Sequence, residues 1–66
     1  MQSLGSQIRT RRRTLKLTQE ELADLAEVSS HFVLEVEKGK ESIRLDKLTK
    51  ILKVLGLHLE LKLKSR

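Results

Sequence analysis

Residues 17–40 of this chain read LTQEELADLAEVSSHFVLEVEKGK, and this stretch decides the fold. It predicts two short helices separated by a tight turn. Thr18 is suited to cap the first helix, and Glu21, three residues later, completes a capping box. Ser29 is suited to cap the second helix, because its side-chain oxygen can accept a hydrogen bond from an unpaired N–H of the first turn. Gly39 follows the second helix, where a positive φ is easiest for glycine.

Apolar residues recur at helical spacing in both predicted helices. Leu22, Leu25 and Ala26 are expected to form the inward stripe of the first helix, and Val33 and Val36 that of the second. Two short helices joined by a tight turn form a helix-turn-helix, in which the second helix is built to enter the major groove of DNA. The stretch therefore predicts binding to double-stranded DNA.

The length and charge of the chain favour the same prediction. Its 66 residues allow one small domain, and 14 lysines and arginines against 9 acidic residues give a formal net charge of +5. Such a balance favours a polyanionic partner. The basic residues are concentrated near the N-terminus, with no acidic residue among Arg9, Arg11, Arg12, Arg13 and Lys16.

The composition excludes several other classes of function. There is no cysteine for disulfides or thiolate metal sites, and Phe32 is the only aromatic residue, which disfavours binding of single strands by base stacking. Since His31 and His58 lie on different predicted elements, we expect no metal site, no cofactor and no enzyme activity. No apolar run is long enough for a membrane span or a signal peptide, so we expect a cytoplasmic protein with no membrane partner.

One mostly α domain is predicted over residues 1–66. Its helices are expected at about residues 4–15, 18–26, 29–38 and 45–55. The predicted inward face of the first helix consists of Leu4, Ile8, Arg12 and Leu15, and the fourth helix is expected to complete the core with Leu45, Leu48, Ile51, Leu52 and Leu55. Apolar and polar residues then alternate, which predicts a half-buried strand over about 57–63. The strand needs a hydrogen-bonding partner, so we expect it to pair with the same strand of a second subunit in an obligate homodimer. The leucines of the buried face of this strand are Leu57, Leu59, Leu61 and Leu63.

Two alternatives for residues 57–63 remain open. They are an amphipathic tail without a partner and an extension of the fourth helix.

Bases are expected to be read from the N-terminal end of the second helix of the motif. Ser30 can serve several bases, His31 can donate to guanine, and the Glu35 carboxylate can accept from cytosine N4. Phe32 and Leu34 are candidates for contact with thymine methyl groups. Covering the edge of the core is the alternative for Phe32.

Phosphate contacts are expected at the helix N-termini and at the basic residues that follow the second helix. The predicted phosphate-contacting residues are Thr18, Gln19, Ser29, Lys38, Lys40 and Arg44. Arg9, Arg11 and Arg13 are predicted to be solvated and to attract DNA at long range.

Arg12 and Glu37 both fall on inward faces of their helices. An inward charge must be paired, since an uncompensated buried charge costs several kcal/mol. We therefore predict a structural ion pair between Arg12 and Glu37 that joins the first helix to the DNA-reading helix.

Several motifs resemble those of the Cro-repressor-like (XRE) helix-turn-helix proteins: Leu17 to Ala23, Val28-Ser29, and Glu37-Lys38-Gly39-Lys40. Residues 44–48, followed by Leu55-Gly56-Leu57 and the alternating strand, are similar to the HipB-like antitoxins of that family. The resemblance implies a dimeric autorepressor that binds an operator palindrome and holds a toxin, often a HipA-type kinase, in an inactive complex. It also implies a phosphate contact at Gln19 and a buried ion pair at the positions of Arg12 and Glu37.

Glu27 departs from the pattern of this family, which usually has glycine in the turn between the two helices. A positive φ strains a residue that carries a Cβ. We therefore expect either a slightly different turn or a strained Glu27.

Three functional hypotheses follow. The leading one is a sequence-specific DNA-binding repressor that serves as the antitoxin of a type II toxin–antitoxin operon and neutralises a HipA-like kinase. The second is a protein-binding module with secondary DNA binding. Its surface would consist of Phe32, Leu34 and an acidic patch of Glu20, Glu21 and Asp24. The third is a phage-like XRE repressor without a toxin.

Overall fold

The computed structural model describes residues 3–60, which form four helices and no strand. Helix α1 spans Leu4–Thr14, α2 spans Gln19–Ala26, α3 spans Ser30–Lys38 and α4 spans Leu45–Leu55. The predicted mostly α, four-helix architecture is therefore confirmed for this part of the chain. None of the four helices is both long enough and apolar enough to cross a membrane.

Side-chain caps fix where α2 and α3 begin. The Thr18 hydroxyl accepts from the Glu21 N–H at 3.0 Å, and the Glu21 carboxylate accepts from the Thr18 N–H at 2.8 Å. The Ser29 hydroxyl accepts from the Phe32 N–H at 3.0 Å. Because Thr18 and Ser29 are the caps, the helices themselves begin one residue later, at Gln19 and Ser30.

The turn from α2 to α3 is made at Glu27. Its φ of 58° and ψ of 44° lie in the left-handed region, which L residues other than glycine rarely adopt. The Val28 N–H closes the turn by donating to the Ala23 carbonyl oxygen at 3.0 Å. Glu27 therefore adopts the conformation for which glycine is best suited.

The core receives apolar side chains from all four helices. Helix α3 packs against α1 and α2, and α4 packs against the same two helices. The buried apolar side chains are Ile8, Leu22, Ala23, Ala26, Phe32, Val33, Val36, Leu48, Ile51, Leu52 and Leu55.

The predicted inward positions of Leu25 and Leu45 are wrong, since each is 61% exposed. At about 100° per residue, Leu22, Ala26 and Ala23 fall within one arc of α2, and Leu25 lies outside it. Leu45 is the first residue of α4, beyond the packed turns. Two leucines predicted on the inward face of α1 are also exposed, Leu4 and Leu15.

Helix α4 ends in a left-handed turn at Gly56, whose φ is 71°. The Leu57 N–H donates to the Leu52 carbonyl oxygen at 2.8 Å, and the half-buried Leu57 packs against the core. Residues 57–60 are neither helix nor strand, so α4 does not extend through them as one alternative proposed. Leu59 is exposed, whereas Leu61 and Leu63 lie outside the described residues.

Candidate nucleic-acid interface

The outward face of α3 carries most of the residues predicted to read DNA bases. Ser30 and His31 are exposed at its N-terminal end, and Leu34 and Glu35 follow one turn later, partly exposed. The opposite face of α3 is buried against α1 and α2. The helix therefore presents one row of side chains to solvent.

Two shallow grooves run along this face and share His31 and Leu34. The first lies between α3 and the N-terminal turn of α2 and is lined by Thr18, Gln19, Glu20, Ser30, His31 and Leu34. The second is lined by His31, Leu34, Glu35, Lys38, Gly39 and Lys40. The structure thus brings most of the predicted DNA-contacting residues onto one continuous surface, which we call the α3 face. Ser29 and Arg44 are exposed but line neither groove.

The two cap hydroxyls hold their helix N-termini in place. Thr18 and Ser29 each use an oxygen lone pair to accept a main-chain N–H. A hydroxyl also carries one proton, which remains able to donate. Both exposed side chains can therefore donate to a phosphate while they cap their helices.

Two of the predicted phosphate-contacting cations are paired with acidic side chains. Lys40 Nζ lies 3.0 Å from Glu35 Oε2, and His31 Nε2 lies 3.5 Å from the same oxygen. The hydrogen bond from Lys40 is the main reason that the pKa of Glu35 is lowered. Arg44 Nη2 lies 2.7 Å from Asp46 Oδ2, and this hydrogen bond likewise lowers the pKa of Asp46. Both carboxylates stay ionised at neutral pH, and each cation keeps further N–H donors.

The predicted base contact by Phe32 is wrong. Its side chain belongs to the core and is only 9% exposed. Lys47 of α4 places its Nζ 5.8 Å from the centre of the Phe32 ring. Phe32 therefore helps to hold α3 in the domain, in agreement with its alternative place in the core.

A buried ion pair joins α1 to α3. Arg12 Nε donates to Glu37 Oε2 at 2.7 Å, and Arg12 Nη2 donates to Glu37 Oε1 at 3.0 Å. A third N–H of the guanidinium donates to the Leu17 carbonyl oxygen at 2.8 Å, just before α2. The Glu37 carboxylate is fully shielded from solvent. The pair is therefore a structural element and is not part of the α3 face.

Gln19 connects this ion pair to the α3 face. Its Nε2 donates to Glu37 Oε1 at 3.2 Å, and Arg9 Nε lies 3.6 Å from the same oxygen. Burial raises the pKa of Glu37, but hydrogen bonds from Arg12 and Gln19 outweigh this and leave the pKa below its ordinary value. The ionised Glu37 therefore fixes the side-chain amide of Gln19 at the edge of the first groove.

Two further contacts of α1 were missed by sequence reasoning. Gly5 is buried where α1 crosses the main chain of α3, and its place on the inward face with Ile8 and Arg12 was the available signal. Arg11 Nε donates to the Leu55 carbonyl oxygen at 2.9 Å and so braces the end of α4. The Arg11 side chain is exposed, as predicted, and no pattern in the sequence indicated that it has a partner.

Comparisons with known proteins agree with this geometry. A family model described as helix-turn-helix matches residues 8–62. The uncharacterised HTH-type transcriptional regulator y4mF of Sinorhizobium fredii is 31% identical over 58 residues, which are 88% of this chain and 76% of that protein. The Clp gene regulator ClgR of Corynebacterium glutamicum has a similar structure, with a TM-score of 0.72 and 30% sequence identity. The match covers 82% of this chain and 57% of the ClgR chain. A chain of the HipA-HipB-O2-O3 complex shares the fold, with a TM-score of 0.84 at 24% identity over 98% of this chain and 96% of its own.

Proposed function

The chain belongs to the helix-turn-helix family and is a DNA-binding transcriptional regulator, and we propose that it is a dimeric, sequence-specific repressor. The observation that carries the proposal is the α3 face. There His31 and Ser30 stand exposed at the N-terminal end of a helix whose other side is buried. This is the end of the second helix that contacts base edges when a helix-turn-helix lies in the major groove.

Base reading is assigned to Ser30, His31 and Glu35. His31 donates to guanine and Ser30 serves several bases, whereas Glu35 accepts from cytosine N4. The ion pair with Lys40 supports the role of Glu35, because it reduces the repulsion between the carboxylate and nearby phosphates. Leu34 lies between the two grooves and would meet a thymine methyl group.

Phosphate contacts surround these base readers. Thr18, Gln19 and Ser29 contribute from the helix N-termini, and Lys38 and Lys40 contribute from the other side of the α3 face. Arg44 contributes from outside the α3 face, at the start of α4.

The dimer is proposed to form through residues 57–63, with the strands of two subunits paired and Leu57, Leu59, Leu61 and Leu63 against the helices. Leu57 already packs on the core, which supports a segment whose leucines lie against the helices. Two α3 helices related by a twofold axis would read half-sites of a palindrome about 34–36 Å apart, or a multiple of that distance.

We place the protein among antitoxins that repress their own operon and neutralise a HipA-like kinase. Support comes from the resemblance of residues 44–57 to HipB-like antitoxins and from the shared fold over nearly the whole chain. The phage-like repressor without a toxin differs in genomic context alone. Reading the neighbouring open reading frame separates these two.

Selection of bound sequences from a random duplex library tests the DNA-reading function. We expect a palindrome, and in mobility shifts His31→Ala should weaken binding to it by about 1–3 kcal/mol. Thr49→Ala truncates an exposed side chain of α4 outside the α3 face and is the control. Equal affinity for the selected palindrome and for random duplex would reject sequence-specific repression.

A protein-binding role is the second candidate, because Leu34 is an apolar side chain on an otherwise polar surface. Co-purification of the protein encoded next to this one tests it. Loss of that partner with Leu34→Lys, but not with Arg44→Ala, would favour protein binding through the α3 face.

A further inference from the structure

A second groove region lies away from the α3 face, between α2 and α4. Leu25, Ala26 and Glu27 line it from the C-terminal end of α2, and Lys50, Lys53 and Val54 line it from α4. None of these residues lines either groove of the α3 face. We call this region the α2–α4 groove.

The floor of the α2–α4 groove is apolar. Leu25 is 61% exposed, and it lines the groove together with the half-buried Val54 and the buried Ala26. A single exposed leucine is ordinary, but an exposed leucine that continues into other apolar side chains favours a contact surface.

The α4 lip of the groove is positively charged. Lys50 and Lys53 form no ion pair within residues 3–60. The one acidic residue of α4, Asp46, is already held by Arg44. The lysine charge is therefore left for a ligand, while Glu27 on the opposite lip disfavours acidic groups on that side.

We propose that the α2–α4 groove is a docking site for an acidic amphipathic segment of a partner protein. The apolar side of the segment packs on Leu25 and Val54, and its carboxylates pair with Lys50 and Lys53. A basic segment would be repelled by the two lysines, and a purely apolar one would leave them desolvated without partners.

Docking here is compatible with DNA binding. The N-terminal end of α2 contributes its cap, Thr18, and its first residue, Gln19, to the α3 face. The C-terminal end of α2 contributes Leu25 and Ala26 to the α2–α4 groove. A partner in the groove and a duplex on α3 therefore occupy opposite ends of the same helix. The proposal does not depend on whether the partner is a toxin.

The test is an NMR titration of the full-length protein with a synthetic peptide that carries leucine and glutamate at amphipathic helical spacing. We expect amide shifts at Leu25, Lys50, Lys53 and Val54, and no displacement by duplex DNA. Leu25→Gln should weaken binding about tenfold, which is about 1.4 kcal/mol. Leu45→Gln is the matched control, because this leucine is also 61% exposed but lies outside the groove. The affinity of this variant for the peptide should be unchanged. Lys50→Glu with Lys53→Glu should abolish binding.

Two control peptides separate charge from packing. Replacing glutamate by lysine, or leucine by glutamine, should each remove binding. Shifts confined to α3 together with displacement by duplex DNA would overturn the proposal, since the peptide would then act as a phosphate mimic. Equal effects of Leu25→Gln and Leu45→Gln, or no binding of the acidic peptide, would also overturn it. Concentration-dependent shifts at the groove without peptide would assign the groove to a second copy instead.

Discussion

Gly5 of α1 lies directly against the main-chain carbonyl group of Val36 in α3. A Cβ on Gly5 would stand 2.4 Å from the Val36 carbonyl oxygen and 2.8 Å from that of Glu37. Both oxygens belong to the backbone, so rotating a side chain cannot relieve the contact. Gly5 therefore sets how closely α1 approaches α3.

Gly5→Ala should destabilise the fold. The clash costs about 1–3 kcal/mol and outweighs the helix propensity of alanine, which favours it by up to about 1 kcal/mol. We expect the Tm to fall by about 4–8 °C for each kcal/mol lost. Thr10→Ala, at an exposed position of the same helix, should leave the Tm nearly unchanged. An equal or higher Tm for Gly5→Ala would contradict the close approach of α1 and α3.

Arg12→Met should be among the most destabilising changes in the chain. It leaves the buried Glu37 carboxylate without its main partner, which should lower the free energy of unfolding by about 3–5 kcal/mol. Unfolding in urea measures this loss. The double variant Arg12→Met with Glu37→Leu removes both charges and should recover most of this loss. A double variant no more stable than Arg12→Met alone would show that the loss does not come from the unpaired charge.

Stability should fall with acid partly through Glu37. The folded-state pKa of this carboxyl group is lower than its ordinary value of 4.5. Its stabilising contribution is therefore complete above pH 4.5 and is lost as the pH falls through the folded-state pKa. Urea unfolding of Glu37→Gln below pH 4.5 should show a weaker pH dependence than that of the native chain. Glu41→Gln, at an exposed loop position, should keep the native pH dependence.

Glu27→Gly should stabilise the protein by up to about 1.5 kcal/mol. A side chain in the left-handed region costs roughly 1–2 kcal/mol, and the added freedom of glycine in the unfolded chain takes back about 0.4–1 kcal/mol. Glu27→Ala is the control, because it removes the same charge but keeps the Cβ. A thermal melt in which both variants gain equally would assign the effect to charge rather than to backbone strain.

Salt dependence of DNA binding should identify the cations that contact phosphate. Lys38→Ala, on the α3 face, should reduce the slope of log K against log salt concentration by about 1. Lys53→Ala removes the same charge from the α2–α4 groove and should leave the slope unchanged. Equal reductions for the two variants would mean that only the net charge matters.

The sequence predicted what depends on local geometry. The caps at Thr18 and Ser29 could be predicted because each hydroxyl lies three residues before the N–H group that donates to it. The four helices follow from apolar spacing, although the buried arc of α2 is rotated towards Ala23 relative to the predicted stripe and leaves Leu25 outside.

The Arg12–Glu37 ion pair could be predicted because both charges fall on inward faces of their helices. The other contacts between distant segments could not be predicted from the sequence. Nothing in the spacing of Arg11 indicates that it meets the carbonyl oxygen of Leu55. The burial of Phe32 likewise depends on where α4 packs. The His31–Glu35–Lys40 cluster on the α3 face was not foreseen either, because it requires the chain to turn back after Gly39.

The carboxylate of Glu37 has an evolutionary consequence. It sits on α3, yet it holds Arg12 of α1 and Gln19 of α2 at the same time. A mutation that changes how Gln19 is presented on the α3 face therefore also shifts the folding equilibrium, so selection cannot act on one property alone. Ser30 and His31 are free of this linkage, because neither contacts the buried ion pair. Divergence towards new operators should accordingly accumulate at these two positions, while Gln19 and Glu37 change rarely and together.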